Sequence, residues 1–142
     1  MTKQELENIN EVYLYVGGYF SGYSSCKIEK TQSGAIAHFE SSLWNMPDFP
    51  LGKEKDLQLT TTEWSLFVHK LLTRVINWEK EYFDPDRYDG IQWKLKISGL
   101  SKKPLKFFGS NLYPSDWNKF VKIFNKLEKG YFYAVHERFI KL

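Results

Sequence analysis

DGIQWKLKISG, residues 89–99, is the stretch that decides the fold. Ile91, Trp93, Leu95 and Ile97 alternate without a break with Gln92, Lys94 and Lys96. Successive side chains of a strand point to opposite faces, so a strict period of two predicts a strand with one covered face. A covered face needs a second layer to cover it. The following LSKKP (100–104) supplies a turn and LKFF (105–108) a return strand, which makes a hairpin. Beyond it Gly109 leaves the strand, and Ser110 and Asn111 turn the chain. Pro114 suits the first turn of a helix, where its missing N–H costs nothing. Trp117, Phe120, Val121, Phe124 and Leu127 then recur at helical spacing, with Asp116 near the positive helix end and Gly130 as the stop. The spacing predicts a helix over 114–129.

Upstream, Trp64, Phe67, Val68, Leu71, Leu72 and Val75 form a second helical stripe. Thr60 and Glu63 have the spacing of a capping box, so a helix is predicted over 61–78, ending before Pro85. Val12, Leu14 and Val16 alternate with Tyr13 and Tyr15, which predicts a first strand ended or bent by Gly17 and Gly18. Residues 26–41 read as a hairpin turning at Gln32-Ser33-Gly34. Residues 43–56 hold two prolines and a glycine and read as a loop that Trp44 and Phe49 pin to the core. Residues 1–10 read as a helical turn or a frayed end, and the tail 131–142 fits either a strand or a short helix. The expected fold is one α+β domain over 1–142. It has an antiparallel sheet of about five strands, order βββαββα, with both helices packed on one face.

Composition narrows the functional classes. Of 142 residues, 42% are hydrophobic and 18% aromatic, too apolar for a disordered chain. A net charge of +3 is well short of a dedicated nucleic-acid binder. The one cysteine, Cys26, rules out an internal disulfide framework. MTKQELENINEVYLYV carries both signs of charge and no long apolar region, so no signal peptide is expected. No stretch approaches the roughly 20 apolar residues of a membrane helix. A cytoplasmic protein is the expectation.

The segments WEKEY (78–82), DGIQWKLKI (89–97) and FGSNLYPSDW (108–117) form a pattern: a Trp, a D-G-x-x-W strand, a short hairpin, then G-S-N-x-x-P and a helix. This resembles a group of small bacterial proteins with no established activity, over roughly residues 60–128. The resemblance implies a bacterial or phage origin and a shared architecture, and assigns no catalytic residue. Within the chain, TTEWSLFV (61–68) also matches PSDWNKFV (114–121) at Trp, Phe and Val, as a duplication or as two amphipathic helices converging on one spacing.

Candidate chemistry is sparse. Gly109-Ser110-Asn111 precedes a predicted helix, whose first N–H groups and dipole suit a phosphate, with Lys106 and Phe108 or Tyr113 to complete a shallow pocket. The turn has neither the P-loop lysine nor a G-x-G-x-x-G pattern, and Gly and Asn are equally at home in a plain turn. Residues 79–90 are acidic but fail the calcium-loop count at the required Gly and Glu. His38, His69 and His136 show no metal motif, and Cys26–His38 across the first hairpin is a weak nucleophile pairing. Lysines populate two polar faces: Lys94, Lys96 and Lys106 on the second hairpin, and Lys119, Lys122, Lys126 and Lys129 on the last helix. Arginine, which base readout favours, is scarce, so nucleic acid is the weaker reading. Tyr13 and Tyr15 lie opposite the Val12/Leu14/Val16 face, with Tyr19 and Tyr23 and several glycines close by, as interaction surfaces are composed. The expectation is a non-enzymatic protein-interaction module without cofactor or metal, of the immunity-protein, inhibitor or anti-defence kind. Tyr13, Tyr15 and Tyr19 would anchor an acidic protein partner that Lys94, Lys96 and Lys106 steer.

Overall fold

A computed structural model of the chain describes residues 2–18, 22–42, 53–84, 86 and 90–127. The fold is α+β, with helices α1 (Lys3–Asn8), α2 (Thr61–Val75) and α3 (Trp117–Asn125). The strands are β1 (Glu11–Gly18), β2 (Gly22–Thr31), β3 (Gly34–Ser42), β4 (Lys53–Thr60), β5 (Glu81–Phe83), β6 (Ile91–Ser98) and β7 (Leu105–Ser110). They form one sheet in the order β4-β3-β2-β1-β6-β7-β5. Among the described residues only the β5–β7 pairing is parallel. The sheet is thus mixed and seven-stranded, where an antiparallel sheet of about five was expected. Both added strands are edges.

The loop expected over 43–56 gives way at Lys53 to β4, which pairs with β3 from Ser41↔Lys53 to Gly34↔Thr60. KEKDLQLT is charged at four successive positions, which suits an edge strand that must not recruit another chain. Trp44 and Phe49 lie outside the described residues. The acidic segment 79–90, which fails the calcium-loop count, contributes β5, three residues aligned with Phe108 to Ser110 of β7.

The helix α2 begins as its sequence dictates. Thr60 Oγ1 accepts from the Glu63 N–H at 3.1 Å, and Glu63 Oε1 accepts from the Thr60 N–H at 2.9 Å. It ends at Val75 rather than 78, and Trp78 falls into an aromatic cluster. Its ring lies 4.7 Å from Phe120, 5.7 Å from Trp93 and 5.7 Å from Phe107. Its Nε1 donates to Asp116 Oδ1 at 2.9 Å. Asp116 is the N-cap of α3 but makes no side-chain capping bond. Pro114–Asp116 form a turn closed by Trp117 N–H to Pro114 O at 3.1 Å, so α3 starts at 117, not 114. The expected end of that helix near 129, together with Lys129, Gly130 and the tail, lies outside the described residues.

The matching octapeptides are not equivalent at their caps. Trp64 sits a full turn beyond its N-cap Thr60, whereas Trp117 directly follows Asp116. Their common letters reflect common burial: Trp64, Phe67 and Val68 face the core as Trp117, Phe120 and Val121 do. Phe67 meets Phe124 edge-on at 5.2 Å, which joins the two helices. Val12, Leu14, Phe67, Leu71, Trp93, Leu95, Ile97, Phe120, Val121 and Phe124 are all buried as their spacing predicts, and Ile28 of β2 is buried with them. Cys26 is buried among them and pairs with Phe39, while His38 pairs with Lys27 on the other face of the sheet. A Cys26–His38 dyad is therefore excluded by register, since neighbours of opposite parity point apart.

Candidate functional site

The apolar residues of β1 and β6 lie under the helices, and the alternating residues of those strands point to the open face. Because β1 pairs with β6, two segments far apart in sequence share this face. Tyr13 stands opposite Lys96, and Tyr15 opposite Lys94. The next strand sets Lys106 opposite Lys96 and Phe108 opposite Lys94. Tyr13, Tyr15, Lys94, Lys96, Lys106 and Phe108 line one groove of about 670 Å³, with Phe83 and Ser110 at its end. Phe83 and Phe108 are large exposed apolar groups. The expected tyrosine and lysine residues thus meet, except Tyr19, which lies outside the described residues.

Neighbouring contacts fix the groove. Tyr15 stacks on Tyr23 with ring centroids 5.8 Å apart, and the Lys94 ammonium stands 5.6 Å from the Tyr15 centroid. The Tyr23 hydroxyl donates to Glu40 Oε1 at 2.6 Å, and that bond pushes its pKa up to about 12. Burial, aided by the charges of Tyr15 and Glu40, raises the pKa of Tyr13. Both phenols stay neutral near pH 7; the Tyr23 O–H is committed to Glu40, and Tyr13 can donate a hydrogen bond to a docked group. Glu11 reaches Lys27 and Lys96, each at 3.6 Å, and Lys27 also meets Glu29 at 2.9 Å. Lys96 is thereby partly neutralised, and the positive character of the groove rests mainly on Lys94 and Lys106.

Across β1 the same face turns acidic. Glu29, Glu40, Glu54 and Asp56 share it, as the registers of β2, β3 and β4 require. Asp56 Oδ1 bonds to His38 Nδ1, and that contact raises the His38 pKa. His38, Glu40 and Glu54 bring one ring nitrogen and two carboxylate oxygens within 4.8 Å of one another. Sequence reasoning missed this group because Glu54, like Asp56, lies on the part of β4 that reads as loop.

Gly109-Ser110-Asn111 is the end of β7 and the turn that follows it. A Cβ on Gly109 would overlap the indole nitrogen of Trp93 and lie 2.7 Å from Leu112 O. Trp93 Nε1 donates to that same carbonyl at 2.9 Å. Asn111 has φ 61°, a conformation its short amide tolerates. Its N–H donates to Ile91 O at 2.8 Å, and its Oδ1 accepts from the Ile91 N–H at 3.0 Å. Since α3 begins at Trp117, the turn does not deliver that helix's first N–H groups, and the expectation that it would is corrected. Tyr113 packs on Trp117 at 5.0 Å, with its pKa pushed up to about 12 by burial.

The lysines of α3 form a separate surface. Lys119, Lys122 and Lys126 line a cleft of about 590 Å³ with Lys70 and Arg74 of α2. This cleft is on the helical side, away from the tyrosines. Among the described residues no helix is long and apolar enough to cross a membrane. No family model matches the chain, and no curated protein sequence matches it.

Proposed function

We propose that the chain is a protein-interaction module that docks an acidic partner protein on the open face of its sheet. The observation that carries this reading is the convergence of Tyr13, Tyr15, Lys94, Lys96, Lys106 and exposed Phe108 on one groove. Rings held by stacking lose little entropy on binding, and lysines at the rim accelerate encounter with negative charge. The acidic half of the face gives the surface a polarity, so a partner is oriented as well as attracted. A small bacterial or phage protein of immunity, inhibitor or anti-defence type fits these features and the sequence pattern at 89–117. A single buried thiol fits the reducing cytoplasm.

One observation favours a second reading, single-stranded nucleic acid. Aromatic rings interleaved with lysines on an open sheet are a stacking platform. Glu11, Glu29, Glu40, Glu54 and Asp56 on the same face oppose it, because they repel a phosphate backbone.

Affinity capture with the full chain, run in parallel with a Tyr13→Ala/Tyr15→Ala variant and a Lys94→Glu/Lys106→Glu variant, tests the proposal. The expected result is a protein lost from both variants, whose association with wild type weakens as salt rises. A partner retained by both variants removes the open face from consideration. Saturable binding of a mixed single-stranded oligonucleotide, lost in the same variants, replaces the first reading with the second.

A further inference from the structure

We infer that His38, Glu40 and Glu54 form a binding site for a divalent transition-metal ion, with Asp56 as the positioning residue behind the imidazole. The register builds the site. His38 and Glu40 are two apart on β3 and share a face, and β4 sets Asp56 directly opposite His38 and Glu54 directly opposite Glu40. The four side chains occupy the corners of one rectangle on the open face.

Three features point to a cation. First, Glu40 and Glu54 are like charges in directly opposed positions, an arrangement that destabilises a sheet unless something positive lies between them. Second, one nitrogen of His38 and one oxygen from each glutamate lie within 4.8 Å of one another, close enough for a single ion to touch all three. Third, both kinds of ligand are already oriented from behind. Asp56 holds Nδ1 of the imidazole, which leaves Nε2 to ligate, and a carboxylate in that role is the usual partner of a metal-bound histidine. The Tyr23 hydroxyl donates to Glu40 Oε1 at 2.6 Å and fixes that carboxylate, leaving its second oxygen to ligate.

One imidazole and two carboxylates are the donor set of zinc and of neighbouring first-row ions, not of a soft thiolate-seeking metal. Three protein ligands leave a zinc ion with a position for water, on the side facing solvent. The buried Cys26 points to the opposite face and takes no part.

The test is calorimetric titration of the full, chelator-treated chain with zinc chloride, and absorption spectroscopy with cobalt chloride as the coloured substitute. The expected result is one zinc per chain and a cobalt spectrum of low coordination number. Both should be lost in His38→Ala and in Glu40→Gln/Glu54→Gln. Asp56→Asn should weaken zinc about 10–100-fold while leaving the stoichiometry unchanged. All four positions are on the open face, and circular dichroism of each variant checks that it folds. Saturable zinc binding that survives His38→Ala, or that disappears on His69→Ala instead, overturns the assignment. So does the absence of saturable binding by wild type.

Discussion

Replacing Gly109 by alanine adds one methyl group where the strand presses on the Trp93 indole. The new carbon overlaps Nε1 and comes within 2.7 Å of Leu112 O, the acceptor of that nitrogen. Trp93 is 1% exposed and cannot swing into solvent. Overpacking a close-packed site costs about 1–3 kcal/mol. If the indole shifts enough to lose Leu112 O, a buried donor is stranded at a further cost of about 1–3 kcal/mol. The combined loss is about 2–6 kcal/mol, and at about 3–5 °C per kcal/mol for a chain this long, Tm should fall by roughly 6–30 °C. Thermal and urea unfolding followed by circular dichroism measure it. A double-mutant cycle with Trp93→Phe isolates the cause: in that background the indole nitrogen is gone, and Gly109→Ala should cost at least ~1 kcal/mol less. A Gly109→Ala protein melting within about 2 °C of wild type refutes the packing argument. A cycle additive to within about 0.5 kcal/mol refutes the role of the indole.

Further outcomes follow from other contacts. Thr60→Ala breaks the capping box of α2 and should cost about 0.5–2 kcal/mol in urea unfolding. Asp116→Ala strands the Trp78 donor and should cost about 1–3 kcal/mol, with Asp116→Asn recovering most of it because an acceptor remains. Burial holds the Cys26 thiol well above its ordinary pKa, so a thiol reagent should modify the native protein negligibly and the urea-unfolded protein fully; prompt native labelling would contradict its burial. Tyr113 has a folded pKa of about 12 against an ordinary 10.0. The folded state therefore keeps the proton longer, and the stabilisation is whole below about pH 10 and lost as pH rises toward 12. Tyr113→Phe should flatten that alkaline loss in Tm measured across the interval.

Elements that carry their own period were legible from the sequence. The strict alternation of Ile91 to Ile97 and the stripe from Trp64 to Val75 each announce one covered face, and those core positions are buried as expected. The edges were not. β4 has charges at Lys53, Glu54, Lys55 and Asp56, so its parity is masked, and β5 is too short to show a period. Its place comes from pairing with β7, a tertiary fact. Helix ends failed for a related reason: Trp78 and Asp116 are held by each other across the core, and neither continues its helix. For the candidate groove, the outward parity of Tyr13, Tyr15, Lys94 and Lys96 was readable strand by strand. That β1 and β6 are neighbours was not, and it is this adjacency that makes two half-faces into one groove. The His38 cluster stayed hidden for want of β4.

The pairing of β1 with β6 also bears on how the chain folds. Among the described residues every other antiparallel pairing joins consecutive strands, whereas this one sets residue 12 against residue 97. The entropy of closing so large a loop must be met before the contact returns anything, so the seam is expected to close late, after the local hairpins on either side. Until it does, the central strands of the finished sheet are open edges, with Val12 and Leu14 on one and Leu95 and Ile97 on the other. Refolding yield should therefore fall as protein concentration rises, with two chains competing for the edge that each chain reserves for itself.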